Sequence, residues 1–531
     1  KSFIDIKFKN NKKIINSKIK TSGTSKYSEI KIISSLLGIN LENIKNIEFI
    51  SDLETSVELS VNNKFKITDK KFTVKGKINE LNLEHKEVKT IKKFLPSYGS
   101  KIFLKDSIIN FNEANDLKLS GLIKFDEQFK DFLIRCSDIT GKNFKIDGKI
   151  NLDDLSLKIP NLNYSKDKIT KADVDFNIYG SKFGYDIVRL LYSSKKSKIE
   201  LDQIKLNKKL EIKDIGNIKV KTFNDNFKNN EFLIGKHETL KNTIFIAGKL
   251  LDAEPLLKSL YKTKNKKAFT NDFNSEIKVN LDKIVTGSKD DITELGMVAS
   301  IKNGTYNKLS LKGNFSENEI IEMSIYQVDN NKRTLQVISD RARPFIKNFD
   351  FIKGFEDGRL EYESVISKEV TNSNLLISDF KVSKVPALAQ LLTLASLQGI
   401  ADTLNGEGIR FDSFEMKSNS KGNVMNIEDA LAIGAAVSIL LEGYVDKGKT
   451  VSLRGTLVPA TKLNSIIKKL PVVGDILVGK KTGEGVVGVS FKMKGPPKDI
   501  KTTVNPIKTL TPRFIVRAVE KMKKKKKEET K

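Results

Sequence analysis

Apolar and polar residues alternate at a period of two along the first 240 residues. Phe65 and Ile67, then Phe72, Val74 and Ile78, are spaced by Lys, Thr and Gly. Leu117 and Leu119, Phe144 and Ile146, and Leu155, Leu157 and Ile159 follow the same rule. Alternation of this kind gives each strand one dry and one wet face, as in antiparallel sheet rather than sheet covered on both sides. Asn, Asp, Gly and Lys fill the intervals as turn material. Short helices are predicted at Glu29–Leu37 and at Lys86–Leu95, the second stopped by Pro96.

A five-residue pattern recurs: apolar, any, Gly, any, apolar. It occurs around Gly76, Gly121, Gly148, Gly248 and Gly313, and again around Gly443 and Gly455. The spacing is irregular, which excludes a fixed-period solenoid. Positions two apart share a strand face, so each Gly lies on the apolar side between two large residues. A missing side chain there lets the strand bend or lets another group come close; a bulge or strand end is the alternative.

Helical signals are few and gather toward the C-terminus. One short helix is predicted near Glu254–Tyr261. Pro386–Leu404 opens with Pro, has an Ala- and Leu-rich interior and carries no charge from Val385 to Ala401, so most of its circumference must avoid water. A further amphipathic helix is expected from Pro459 to Leu470. The fold predicted is mostly β: an elongated antiparallel β-sheet curled into an open groove, with a few short helices mainly near the C-terminal end. About 25 to 30 strands at roughly 4.8 Å would give a body on the order of 120 to 145 Å long. Four segments follow: 1–240, 241–375, 376–517, and a disordered basic tail, 518–531.

Composition narrows the function. At 531 residues with 39% apolar content a core can be built, from Ile, Leu, Val and Phe because Trp is absent. The net charge of +28 favours anionic partners, yet the basic residues are interleaved with acidic ones and read as a solvated surface. Nucleic-acid binding would need Lys and Arg on one face with aromatics between them, and the Phe residues instead occupy the dry positions. Lys523–Lys527 would adhere to anionic lipid or nucleic acid alike. The longest nearly apolar run, Ala430–Leu441, falls short of the roughly 20 residues needed to cross a bilayer. The chain starts at Lys1 without Met and is expected to be a fragment or processed form.

Catalytic chemistry has no foothold. Gly483-Glu484-Gly485-Val486-Val487-Gly488 fits a dinucleotide pattern but lacks the strand before and helix after that the site requires, and reads as a hairpin. His85 and His237 are the only histidines, which disfavours a His-rich metal site or a Ser-His-Asp triad. Cys136 is the single cysteine and reads as a small hydrophobe; Asp290-Asp291 reads as a loop. No enzyme activity, metal or cofactor is expected.

An ordered series of C-terminal motifs points further. It runs through Val385-Pro386-Ala387-Leu388-Ala389-Gln390, Gly406-Glu407-Gly408-Ile409-Arg410-Phe411, Leu457-Val458-Pro459 and Leu470-Pro471-Val472-Val473-Gly474. It closes on Phe491-Lys492-Met493-Lys494-Gly495, Val504-Asn505-Pro506 and Leu510-Thr511-Pro512-Arg513. This series resembles the AsmA-like C-terminal domain of bacterial envelope proteins. Ala247–Leu257 and Leu335-Gln336-Val337-Ile338-Ser339-Asp340 are similar to that family's middle region, although Arg341-Ala342-Arg343 departs from it. The resemblance implies an inner-membrane-anchored protein, its anchor upstream of Lys1, with a periplasmic β-groove moving phospholipid toward the outer membrane. Its partners would be phospholipid acyl chains, a membrane surface and other envelope proteins. The alternative is a non-enzymatic periplasmic scaffold assisting outer-membrane assembly. By strand parity the lipid-facing candidates are Val437, Ile439, Leu441, Leu453, Leu457, Val489 and Phe491, with Ser438, Glu442, Arg454 and Thr456 on the wet side. Leu440 breaks the alternation. An acidic residue at Ile439 or Leu453 is expected to leave folding intact and abolish lipid binding if the shared face lines a groove.

Overall fold

Period-two alternation produces what it predicts: the chain is mostly β, with thirty strands and only short helices among the described residues. The computed structural model describes residues 3–507, apart from 10–11, 38–40, 63, 65, 88, 113, 115, 139–142, 225–228, 238, 241, 261–269, 271, 330, 347–353, 368, 384, 395–396, 447, 460–487 and 498. The predicted helix from Ala460 onward, the hairpin segment 483–487 and the basic tail lie outside these residues, as does Phe65. The chain divides into two units. The first comprises 1–255, 267–275 and 302–305, and the second 256–266, 276–301 and 306–531. The position 375/376, taken above as a segment boundary, falls inside the strand Thr371–Ser383, which pairs on both sides with strands of the second unit.

In the first unit the strands pair in chain order from Phe3–Lys9 to Thr243–Asp252, and each ladder is antiparallel. In the second unit the same holds from Thr305–Ser316 to Lys501–Ile507. In neither unit do the first and last of these strands pair, so neither series closes into a barrel.

The segment Leu155–Ile159 departs from expectation. Leu155 lies in a turn, its N–H donating to the Leu152 carbonyl, and Leu157–Ile159 pairs only with Tyr164–Lys166. This two-stranded ribbon covers one end of the first unit's sheet. Leu155, Leu157 and Tyr164 pack with Tyr192, Ile199 and Val220 from the sheet itself. Lys166 fastens the ribbon: its buried Nζ donates to the carbonyls of Leu152, Asp153, Leu155 and Asp167 at 2.8 to 3.1 Å. Burial pulls the Lys166 pKa down, while Asp153 and Asp167 act against that pull. Asn230, also buried, donates to the Leu162 carbonyl and to the Thr222 hydroxyl, and accepts from the Asp252 N–H.

The second unit is capped by helices. The uncharged segment predicted as one helix forms two, Pro386–Leu394 and Gln398–Asn405. The Leu397 N–H reaches back to the Leu392 carbonyl, and Leu397 then starts the next helix by accepting from Ile400 and Ala401. A single helix of nineteen residues would be a rod of about 28 Å. The break lets Leu391 and Leu392 from one piece and Ala401 and Leu404 from the other enter one core. Below them Phe355, Phe380 and Phe411 stack from adjacent strands, with successive centroids 5.4 Å apart.

Lys166 supplies a test of the ribbon's role. Lys166→Met should lower the unfolding free energy by about 3 kcal/mol, because the Asp153, Leu155 and Asp167 carbonyls lose the donor that the ammonium supplies, while Leu152 keeps the Leu155 N–H. Lys168→Met, which removes an exposed pairing with Asp126, should cost no more than about 1 kcal/mol. Urea denaturation of the two variants decides; equal, small losses would mean that Lys166 is not the fastening.

Candidate functional site

Directly opposed residues of an antiparallel pair share a face, so the registers trace rows across each sheet. In the first unit one row runs Leu53, Gly76, Ile109, Leu119, Ile134 and Gly148. It continues through Phe176, Leu190, Leu201, Ile218, Ile234 and Ile246 without a polar residue. Twelve strands each contribute one residue; Gly148 is buried and the other eleven are half-buried.

The second unit has its counterpart. Leu311, Met323, Val337, Tyr362 and Leu375 lie in register, followed by Met416, Ala430, Leu441, Gly455, Phe491 and Val504. Here Val337, Ala430 and Phe491 are buried and the remainder half-buried. A side chain on a flat single-layer sheet would be largely wet. Half-burial along a whole row requires that neighbours on the same face shelter one another, as they do on the inner side of a curl.

The recurring glycines sit on this dry face. Gly76 lies between Leu53 and Ile109, Gly148 between Ile134 and Phe176, and Gly455 between Leu441 and Phe491. The Phe491 ring edge lies 2.6 Å from where a Gly455 Cβ would stand, so the aromatic covers the gap. Gly443 has φ +142°, and a Cβ there would collide with the Ser452 carbonyl oxygen of the next strand. Close approach of neighbouring backbone, the first of the two readings of the pattern, is what these positions require.

The seven sequence-selected residues fall on one face, as parity implied. Ile439, Leu457 and Val489 are in register, as are Leu441 and Phe491 across Gly455. Their environments differ. Val437 and Leu457 are 0% exposed, and together with Ile439 and Phe491 they belong to the core under the two helices. Val489 is likewise buried, whereas Leu441 and Leu453 are half-buried. On the opposite face Glu442 and Arg454 pair at 2.8 Å in solvent, as expected. Ser438 and Thr456 are not wet, however. Ser438 is 0% exposed beside the fully buried Val458, so at this end the sheet is covered on both sides.

Charge on the outer faces is arranged in cross-strand pairs such as Lys18 with Glu54, Lys77 with Asp106 and Lys312 with Glu322. Hydrogen bonds from Ser22 and Asn79 hold Asp52 below the usual carboxylate range, and Lys77 does the same for Asp106. The triplet Arg341-Ala342-Arg343 is a junction. Arg341 pairs with Glu319, Ala342 is fully buried, and Arg343 grips both oxygens of Asp290 at 2.5 Å. The sequence reading of Asp290 as loop is right in backbone terms, since it precedes the strand Ile292–Lys302, but its side chain is a buried anchor. Cys136 is buried, and burial pushes its thiol pKa up.

Comparison of the chain with protein-family models, with curated proteins and with solved structures finds no match. The site is therefore defined by its own geometry: two apolar rows, half-sheltered, each on one face of an open sheet.

The burial difference revises the expectation for acidic substitutions. Ile439→Asp places an unpaired charge in the closed core, which should cost several kcal/mol and abolish a cooperative melt of the second unit. Leu453→Asp, at a half-buried position, should keep the melt with a loss of about 1 to 2 kcal/mol. Calorimetry on both variants is the measurement; a folded Ile439→Asp protein would mean that the helices do not close this part of the face.

Proposed function

We propose that the chain moves phospholipid between the inner and outer membranes of a bacterial envelope, within the periplasm, as a relative of the AsmA-like proteins its C-terminal motifs resemble. The observation that carries this reading is the pair of unbroken apolar rows, twelve and eleven strands long. A row of this kind is a path along which acyl chains can rest while headgroups stay in water. Each methylene kept from water is worth roughly 0.8 kcal/mol, so shelter along the row lowers the cost of leaving a bilayer in proportion to the length of acyl chain it covers. Half-burial suits the task. A closed core has no room for a guest, and a wet face offers no shelter.

A second reading has its own support. The closed core around Val437, Leu457 and Leu404 is what a non-enzymatic scaffold would need, its dry face filled by its own side chains. Lipid content separates the two. Purified protein, extracted with organic solvent and examined by mass spectrometry, should yield phospholipid in near-stoichiometric amount. Met416→Glu and Leu375→Glu, both in the half-sheltered row, should retain a cooperative melt and lose most of that lipid. Folded wild-type protein that carries none would leave the scaffold as the better account.

A further inference from the structure

Beyond its apolar row the second unit's dry face turns polar. Next to the row that contains Tyr362, Leu375 and Met416, the following register places Ser364, Ser373 and Ser418 side by side on three adjacent strands. Leu335 and Ile427 bound them on the two flanking strands. The polar patch is thus three strands wide, about 10 Å, and borders the apolar row on one side, the rung beyond it holding Arg333, Ile366, Thr371 and Ser420. Ser364 is 1% exposed and its hydroxyl has no hydrogen-bond partner among the described residues. Ser418 is buried as well. Tyr362 bridges the border: its ring belongs to the apolar row and its hydroxyl lies 3.0 Å from the Ser373 hydroxyl. A buried hydroxyl without a partner is unfavourable, so Ser364, in register with the hydroxyls of Ser373 and Ser418, calls for a ligand with a matching polar atom.

We propose that Ser364, Ser373 and Ser418 form a hydrogen-bonding rung for the ester carbonyls of a glycerolipid whose acyl chains lie on the adjoining apolar row. The inference rests on the lipid reading above and adds to it the chemical class recognised. Ester carbonyls are uncharged acceptors at the boundary between hydrocarbon and headgroup, and the rung is a set of uncharged donors at the boundary between the apolar row and the polar rung of Arg333, Thr371 and Ser420. A phosphate or carboxylate seated on the same rung would lack a counter-ion, which disfavours it. Arg333 lies two residues beyond Leu335 on the same face, about 7 Å further along the strand, and there a headgroup phosphate could meet a guanidinium. That guanidinium is held by a hydrogen bond to the Tyr306 carbonyl.

The test compares ester with ether lipid. Protein stripped with detergent is incubated with vesicles of equimolar dioleoyl phosphatidylglycerol and its di-O-alkyl ether counterpart, re-isolated, and its bound lipid quantified by mass spectrometry. Wild-type protein should retain the ester form in roughly tenfold excess, since the ether lacks the carbonyl acceptors. The triple variant Ser364→Ala, Ser373→Ala, Ser418→Ala should melt at the wild-type temperature or above, bind lipid, and show a ratio near one. A wild-type ratio near one overturns the rung and leaves lipid transport standing; so does an excess that survives in the triple variant. Wild-type protein that takes up neither lipid overturns both.

Discussion

Everything in this protein answers to one constraint: an apolar sheet face spanning a dozen strands must be kept from water with very little to lay over it. An ordinary antiparallel sheet meets that need by packing a second layer on its dry side. Here the helices are short, and the two that cover apolar sheet most fully, Pro386–Leu394 and Gln398–Asn405, lie over one end of the second unit's face. Along the rest, side chains shelter their neighbours. The glycines contribute by bringing strands or rings close, as Phe491 is brought over Gly455. The result is a face graded from closed to half-open.

The capped ends and the open rows are stabilised by different physics. At the ends, polar groups are buried and must be fully satisfied, as by the Lys166 ammonium among four carbonyls or by Asn230 between Leu162 and Asp252. Arg343 with Asp290 belongs to the same class; removing either partner would leave a buried charge uncompensated. On the outer faces the ion pairs are exposed and individually worth little. They place opposite charges side by side across neighbouring strands, as Lys18 with Glu54 and Lys312 with Glu322.

The fold class was legible because period-two alternation is local, and so were the helices Tyr27–Leu37, Lys89–Phe94 and Glu254–Leu260, within a few residues. The rows were not legible, because register is a relation between strands and no single strand encodes it. Parity also fails wherever a strand kinks. Ile377 and Phe380 are three apart and should point to opposite faces, yet both lie in the helix-capped core. Asp379 between them has φ +53°, a left-handed residue that turns the strand over. Phe411 and Phe414 repeat the effect on the neighbouring strand. The serine rung was invisible for the related reason that three serines on three strands meet only once the registers are known.

The same reasoning explains why hydrophobic pattern selected mostly closed positions as candidates for an open groove. The most apolar segments, such as Ala430–Leu441, supply the side chains with the most to gain from full burial, and folding places them under the helices. A surface that must stay half-open without aggregating has to be less greasy and more varied. Met323, Tyr362, Leu375 and Met416, with serines in the next register, have that character: Met adapts its shape to a guest, and Tyr carries a polar tip. Capacity to bind then follows from moderation rather than from strength of hydrophobicity. Within one face, the residues that hold the protein together and those proposed to hold a lipid are direct neighbours, Met323, Tyr362 and Leu375 packing against the helix-capped core itself.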